Sequence, residues 1–284
     1  MSSLILRDLR VYFRDRLSVF FSLLSVLLTF LLYLLFLGDV WSNNLPDVEG
    51  ARARMDGWIM AGLLSIASVT TTLGAATTMV DDGARKIRKD FEAAPVSRAG
   101  LAGSYILSSA AVGVIMTLVQ LALAELYIVL NGGELLSLLA LLKLFSIILL
   151  SVVSSTTFFI FLFTLLKTPA AAGTVSTLVG TLIGFLTGIY IPLGELPQSV
   201  QGIVKLLPVS HTAVLMRQVM MDAPMQKVFA GAPEQAITEI LEGFGLRFSL
   251  NGSVIPASAS VLLLAGTAVV FFILCAWRMT KKDA

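Results

Sequence analysis

Residues 17–37 read LSVFFSLLSVLLTFLLYLLFL, an uninterrupted run of 21 uncharged, largely apolar residues. A helix needs about 20 such residues to cross the roughly 30 Å hydrocarbon core of a bilayer, because each residue adds about 1.5 Å. A cleaved signal peptide has a shorter apolar core followed by small residues, whereas this run ends in Gly38-Asp39-Val40-Trp41. The run therefore predicts a retained membrane span.

Similar runs recur along the chain, which is 57% hydrophobic and only 13% charged, with a mean hydropathy of +0.90. A soluble domain carries about a quarter charged residues, so this composition could not be covered with polar surface in water. We predict an all-α membrane protein with six transmembrane helices in a single transmembrane domain, residues 1–284. The predicted spans are 17–37, 58–80, 105–130, 144–166, 173–192 and 257–279.

Several functional classes are excluded by residues that the chain lacks. A net charge of +2 without a clustered basic face does not suit nucleic-acid binding. His211 is the sole histidine and Cys275 the sole cysteine, which leaves no multi-histidine metal site and no intrachain disulfide. No Gly-Lys dipeptide occurs, so the phosphate-binding loop of an ATPase is missing. We expect no catalytic, cofactor or metal site on this chain.

The N-terminal segment, residues 1–16, is predicted to be an interfacial elbow helix. Its apolar residues recur at spacings of three and four, whereas its cations fall on another face, a pattern typical of a helix that lies along the membrane surface. The apolar positions are Leu6, Leu9, Phe13 and Leu17, and the cations are Arg7, Arg10 and Arg14.

Lys and Arg placement predicts the orientation, because cations near span ends are retained on the cytoplasmic side. With the N-terminus inside, most of the 20 cations fall on inner segments, and four of those left outside lie in one long loop where the rule counts little. Both termini are therefore predicted to be cytoplasmic. The expected location of the protein is the cell membrane of a prokaryote. The inner cations are Arg7, Arg10, Arg14, Arg16, Arg85, Lys86, Arg88, Lys89, Arg98, Lys167, Arg278, Lys281 and Lys282.

The segment 81–104, DDGARKIRKDFEAAPVSRAGLAGS, is predicted to be a cytoplasmic coupling loop. It places apolar residues at helical spacing where they could pack on a partner, next to cations that would face lipid head groups or acidic partner residues, and Pro95 then breaks the helix. Alternatively, the cations only fix the topology and bind anionic lipid, but that role needs neither the acids nor the Pro-Val-Ser-Arg turn. The predicted coupling residues are Arg85, Lys86, Ile87, Arg88, Lys89, Phe91, Pro95 and Arg98.

The segment 193–256 is predicted to be extracytoplasmic. Residues 197–207 and 208–221 each begin with proline, as helices tolerate in their first turn. Both are too short to cross, so they predict a re-entrant hairpin whose ends protein must bury. His211 is expected to form a hydrogen bond within this hairpin.

Small and hydroxyl residues recur at intervals of about four in the second and fifth spans. Such spacing lets helices approach closely. Either they pack within one subunit, or they form a subunit interface or an uncharged translocation path. The candidates are Ser65, Ser68, Thr72, Ser176, Thr177, Gly180, Thr181, Gly184 and Gly188.

Three stretches together resemble the membrane subunits of ABC-2 type exporters. They are the N-terminal LRDLR…FRDR of residues 6–16, the loop with its Pro-Val-Ser-Arg turn at 95–98, and the stretch LP…LPVSH…MR of residues 196–217. The loop begins Asp81-Asp82-Gly83, where relatives commonly carry a Glu-rich start and Gly-Thr.

The resemblance implies a permease that pairs with a second permease half, identical or related, and with a separate ABC ATPase subunit. ATP and Mg would bind to that subunit, and the loop and the elbow would contact it. Membrane lipid is the other expected partner, and nucleic acid is not one.

The predicted function is ATP-driven export of an amphipathic or hydrophobic cargo, such as a drug, an antimicrobial peptide or a lipid-like compound, because the spans carry few charges. A polysaccharide or glycoconjugate is the alternative cargo. An ion-coupled secondary carrier is the alternative function, although such a carrier usually buries charges at mid-membrane. A membrane-embedded enzyme would need a convergent acid, base or metal site. The central parts of the predicted spans offer neither.

Overall fold

A computed structural model describes residues 1–32, 51–87, 90–91, 97–221, 240–250 and 253–280. The described chain is mainly helical, with one small β-hairpin. The helices are α1 (Ser2–Arg14), α2 (Arg16–Leu32), α3 (Ala51–Ala84), α4 (Arg98–Leu130), α5 (Leu138–Thr164), α6 (Pro169–Leu186), α7 (Gln198–Val204), α8 (Pro208–Met220) and α9 (Ala257–Thr280), and the strands are β1 (Phe248–Leu250) and β2 (Ser253–Ile255).

Five helices of the described chain are long and apolar enough to cross a membrane: α3, α4, α5, α6 and α9. The predicted first span corresponds to α2, which is described for 17 residues, and the rest of that span, residues 33–37, lies outside the described residues. The chain is therefore a multi-pass, all-α membrane protein.

The helices flanking the predicted coupling loop are longer than their apolar runs. α3 continues to Ala84, and α4 begins at Arg98 instead of residue 105, so both ends of the predicted loop 81–104 are helical. The Ser97 side chain caps α4 by accepting a hydrogen bond from the Gly100 amide at 3.0 Å. A helix continues wherever its backbone bonds and caps are satisfied, and apolar runs therefore underestimate its length.

The bundle is built around α3, which packs against α2, α4, α5, α6 and α8. Within its most apolar 18 residues, 89% are buried. One close approach is at Gly113 of α4, where an added Cβ would lie 2.3 Å from Cγ2 of Thr72. A glycine at this position brings α3 and α4 into contact, as small residues do at helix interfaces in membranes.

We expect Gly113→Ala to destabilise the bundle, because overpacking of a filled core costs about 1–3 kcal/mol. Gly74→Ala is the matched control, since no atom lies within 4 Å of its added Cβ. Thermal unfolding of the two purified variants in the same detergent measures the difference. Equal melting temperatures would show that α3 and α4 do not meet as described.

Three predicted spans leave most of their surface outside the described bundle. The buried share of the most apolar window is 28% in α5 and 17% in each of α6 and α9. Apolar side chains such as Leu182 (51% exposed) and Phe272 (50% exposed) cover these faces. These apolar faces could contact either membrane lipid or another membrane subunit.

Beyond α6 the chain forms a compact unit of short elements. Gly188 adopts φ +70°, a conformation that favours glycine, and a 3₁₀ turn at Leu193–Glu195 leads into α7 and α8. Pro208 occupies the first turn of α8. Strands β1 and β2 pair in antiparallel fashion before α9, a hairpin that the sequence analysis did not predict.

His211 connects this unit to the last helix. Its Nε2 lies 2.8 Å from the Lys205 carbonyl oxygen, and its Nδ1 lies 2.8 Å from Oγ of Ser260. Because a carbonyl only accepts, Nε2 carries the proton and Nδ1 accepts from the Ser260 hydroxyl. The predicted hydrogen bond of His211 to the preceding segment, residues 197–207, is present, and His211 also joins α8 to α9.

Candidate functional site

The two ends of α3 carry different chemistry. The helix spans about 44 Å from Asp56 to Ala84, at about 1.5 Å per residue. We call the end formed by α1, the last turn of α3 and the first turns of α4 the basic end, and the end formed by residues 188–221, 240–250 and 253–256 the hairpin end. Each end holds one arginine in an unusual setting.

At the basic end, Arg7 of α1 binds Asp82 of α3 in a bidentate ion pair. Its Nη2 donates to Oδ1 of Asp82 at 2.8 Å, and its Nη1 donates to Oδ2. Nη1 also donates to Oδ1 of Asp8 at 2.9 Å. The two carboxylates are held from α4 as well, because Tyr105 donates to Asp82 at 2.8 Å and Ser108 donates to Asp8 at 3.1 Å. We call these five residues the Arg7 clamp.

The Arg7 clamp is sheltered from water. Asp82 and Asp8 are 3% and 6% exposed, whereas the Arg7 side chain retains 30% of its accessibility. The hydrogen bond to Asp82 raises the pKa of Arg7 above its ordinary value, and burial raises the pKa of Asp8. Arg7 therefore stays charged, and its planar fork matches the carboxylate in a way that lysine could not.

The clamp also reaches the predicted coupling loop. Phe91 is half-buried, and its ring centroid lies 5.4 Å from Cζ of Arg7, within the range of a cation–π contact. α1 is thus connected to α3, α4 and the loop through one guanidinium. A displacement of the loop at Phe91 would therefore also displace α1 and the last turn of α3.

The remaining predicted coupling residues divide by exposure. Arg85, Lys86 and Arg98 are exposed, and Ile87 is half-buried. Lys86 has φ +63°, in the left-handed region at the end of α3. Arg88, Lys89 and Pro95 lie outside the described residues. The described cations are therefore accessible to a partner at the basic end.

The prediction that the cations of α1 all lie on one face, opposite its apolar residues, requires a correction. Arg10 and Arg14 are exposed as predicted, but Arg7 turns toward the bundle, where Asp8 and Tyr12 are buried one helical turn apart. Of the predicted apolar face, Leu6, Phe13 and Leu17 are exposed, and Leu9 packs inward. Asp8 was the available signal, since a basic surface helix has no need of an acid between two arginines.

The hydroxyl residues of α3 lie inside the bundle. Ser65, Ser68 and Thr72 are 0% exposed. Oγ of Ser68 lies 2.8 Å from Oγ of Ser151 on α5, and Ser65 donates to the Val209 carbonyl of α8 at 3.3 Å. In this conformation Ser65 and Ser68 join α3 to α8 and α5 within one subunit, whereas the Thr72 hydroxyl donates to the backbone of α3 itself. None of the three forms the outer surface of the subunit.

The small residues of α6 separate into two groups. Thr177, Gly180 and Thr181 are exposed, Ser176 is half-buried, and an added Cβ at Gly180 meets no atom within 4 Å. In contrast, Gly184 is buried beneath the Tyr190 ring, and Gly188 lies beyond the helix in the turn. The small residues on the open face of α6 therefore end at Thr181, and the apolar side chains of Leu182 and Phe185 continue that face.

At the hairpin end, Arg217 of α8 is 0% exposed. Its Cζ lies 4.3 Å from the ring centroid of Trp58, and Nε, Nη1 and Nη2 have no hydrogen-bond partner among the described residues. Trp58 donates from Nε1 to the Phe244 carbonyl at 2.7 Å. The sequence analysis assigned no role to either residue; the signal was that Arg217 is the only lysine, arginine or acidic residue in the short helix α8.

A family model described as the ABC-2 type transporter matches residues 1–221. The match extends over α1 to α8 and includes both the Arg7 clamp and Arg217. No individual curated protein matches the sequence significantly. Since the matched part is well over half of the 284 residues, this chain belongs to the ABC-2 type transporter family, the membrane permeases of ABC transporters.

Proposed function

We propose that this chain is the permease subunit of an ATP-driven exporter, with the basic end and both termini in the cytoplasm of a prokaryotic cell and the hairpin end outside. Permeases of this family work with an ATP-binding subunit and a second permease half. ATP and Mg would bind to the partner ATPase subunit, and this chain would supply the passage through the cell membrane.

The Arg7 clamp is the observation that carries this proposal. It joins α1 and the loop to the last turn of α3. At its other end α3 packs on α8, where its Trp58 stacks with Arg217. A force applied to the loop would therefore move the central helix. ATP can drive such a movement only through different affinities of the ATPase for the two conformations.

The cargo is proposed from the chemistry of the spans. The exposed threonines of α6 are uncharged, as suits a passage for an amphipathic or hydrophobic molecule. We further propose that α7 and α8 re-enter the membrane from outside and close the outer end of that passage. A sugar polymer remains the second choice of cargo.

Charge reversal of the exposed loop cations tests the coupling. We expect Arg85→Glu/Lys86→Glu to reduce ATPase binding and cargo-stimulated ATP hydrolysis at least tenfold, since like charges across an interface cost several kcal/mol. Phe91→Asp should also abolish the stimulation, because it removes the ring that contacts Arg7 and adds a carboxylate that competes with Asp82 for the same guanidinium. Co-purification of the ATPase and its hydrolysis rate are the readouts.

Lys143→Glu is the matched control, because Lys143 is equally a surface cation but lies at the opposite end of α5 from the loop. Its ATPase binding should equal that of the wild type. Should the cations serve topology and lipid alone, the loop variants will bind the ATPase normally once they are correctly inserted.

The second permease half is proposed to pack on the open face of α6. Leucine at Gly180 would enter space that this subunit leaves empty, so Gly180→Leu should preserve the fold and disrupt pairing of the two halves. Gly266→Leu on α9 is the matched control, because Gly266 is also exposed with no atom near its added Cβ. Mass photometry in lipid nanodiscs measures the outcome, and a normal dimer in Gly180→Leu would move the interface elsewhere.

A further inference from the structure

A crevice of about 160 Å³ lies between α2, α3 and α4, away from the Arg7 clamp and from the open face of α6. Its inner wall is formed by Met60, Leu63 and Leu64 of α3, all at most 4% exposed. Its mouth lies between Leu27 of α2 and Leu123 of α4, which are 44% and 43% exposed. The mouth therefore opens where lipid surrounds the bundle.

One polar side chain in this apolar lining is without a described partner. Gln120 of α4 is 5% exposed, and neither its Oε1 nor its Nε2 has a hydrogen-bond partner among the described residues. Tyr127 also contributes to the lining, and it has contacts elsewhere. A primary amide can donate two hydrogen bonds and accept two, and a buried polar group without them is costly. Such a group indicates a ligand that supplies the missing bonds.

The lining restricts the chemistry of that ligand. Among the described residues no charged side chain contributes to it, so a charged ligand would lose its hydration without compensation from them. Gln120 presents both a donor and an acceptor, which a hydroxyl or an amide group satisfies and a hydrocarbon does not. The volume is close to that of the roughly 150 Å³ apolar cavity that binds benzene, room for a short segment of an alkyl chain.

The position of Gln120 suits a ligand that comes from the bilayer. Gln120 lies ten residues before the end of α4 at Leu130. It is therefore about 15 Å from that end of the helix, measured along the helix axis. We propose that this crevice binds the alkyl chain of a neutral amphipathic molecule whose hydroxyl or amide group pairs with Gln120. This site does not depend on the chain being an ATP-driven exporter.

Photolabelling of the full chain in phosphatidylcholine nanodiscs tests the site. The probes are a diazirine-bearing alkyl alcohol and the diazirine-bearing alkane of equal length. We expect labelled peptides from α2, α3 or α4, with half-maximal labelling by the alcohol at a roughly tenfold lower concentration than by the alkane. Gln120→Leu should erase this difference while alkane labelling persists.

Two further variants separate the crevice from the lipid-facing surface. Ala124→Phe places a ring in the crevice and should remove labelling by both probes. Val119→Phe adds the same ring one residue from Gln120 on an exposed part of α4, and it should label as the wild type does. Gln120→Leu should unfold at the same temperature as the wild type or higher, because an unsatisfied amide is removed.

Equal labelling of the wild type by alcohol and alkane, or a persistent preference for alcohol in Gln120→Leu, would overturn the proposal. Native mass spectrometry of the chain isolated from its own membranes then identifies the source of the ligand. A bound mass that Ala124→Phe lacks supports the site, as bilayer lipid or as cargo according to its identity. If the wild type and Ala124→Phe carry the same masses, the site is refuted.

Discussion

Arg7→Ala is expected to produce one of the largest losses of stability of any single substitution in this chain. It removes the bidentate partner of Asp82 and one partner of Asp8, and it leaves both carboxylates buried. Removing one member of a buried ion pair costs about 3–5 kcal/mol, and we place this loss near the lower figure because water reaches part of Arg7. The loss is measured by thermal or denaturant unfolding in lipid nanodiscs.

Neighbouring variants provide the controls for this loss. Arg14→Ala removes an exposed cation from the same helix and should change stability by less than about 1 kcal/mol. Asp82→Asn combined with Arg7→Ala removes both buried charges of the pair, so the double variant should recover part of the loss. If the two single effects simply add, Arg7 and Asp82 are not coupled and the clamp does not exist.

Trp58→Ala is the second substitution with a large expected effect. Trp58 is 1% exposed, its ring packs edge to face on Phe244 with the centroids 6.0 Å apart, and Arg217 stacks on it. Truncation of a buried tryptophan costs about 3–5 kcal/mol, and here it also leaves Arg217 without its aromatic contact. The hairpin end should loosen, and this would be measured as increased protease sensitivity of residues 240–250 and as a lower unfolding temperature.

Two further substitutions separate the contributions to the loss of stability in Trp58→Ala. Trp58→Phe keeps a ring beneath Arg217 but loses the Nε1 hydrogen bond to the Phe244 carbonyl, at an expected cost of about 0.5–1.5 kcal/mol. Trp277→Ala truncates a tryptophan that is 55% exposed and should cost less than Trp58→Ala. A Trp58→Ala protein as stable as Trp277→Ala would contradict the stacked arrangement.

Hydropathy and proline placement predicted the general form of the molecule. Apolar runs are long because a bilayer must be crossed, and the corresponding helices α3, α4, α5, α6 and α9 are present. Pro197 immediately precedes α7 and Pro208 is the first residue of α8, in agreement with the prediction, because proline fits the start of a helix. What these patterns could not give was the length of each helix beyond its apolar part.

The polar contacts between helices could not be predicted from the sequence pattern, for a different reason. Arg7 and Asp82 are 75 residues apart in the chain, and helical spacing relates only residues three or four apart. Spacing therefore grouped Arg7 with Arg10 and Arg14, although its partner is on α3. Likewise, the interval of four that links Ser176 to Gly188 says nothing about Tyr190, which folds back over Gly184.

ATP hydrolysis by the purified chain, with and without the proteins that co-isolate with it from native membranes, tests the central claim most directly. We predict that an ATP-binding subunit co-isolates, that the complex hydrolyses ATP, and that this chain alone does not. Hydrolysis by the chain alone would contradict the account, as would cargo transport by the chain in liposomes that contain no ATPase.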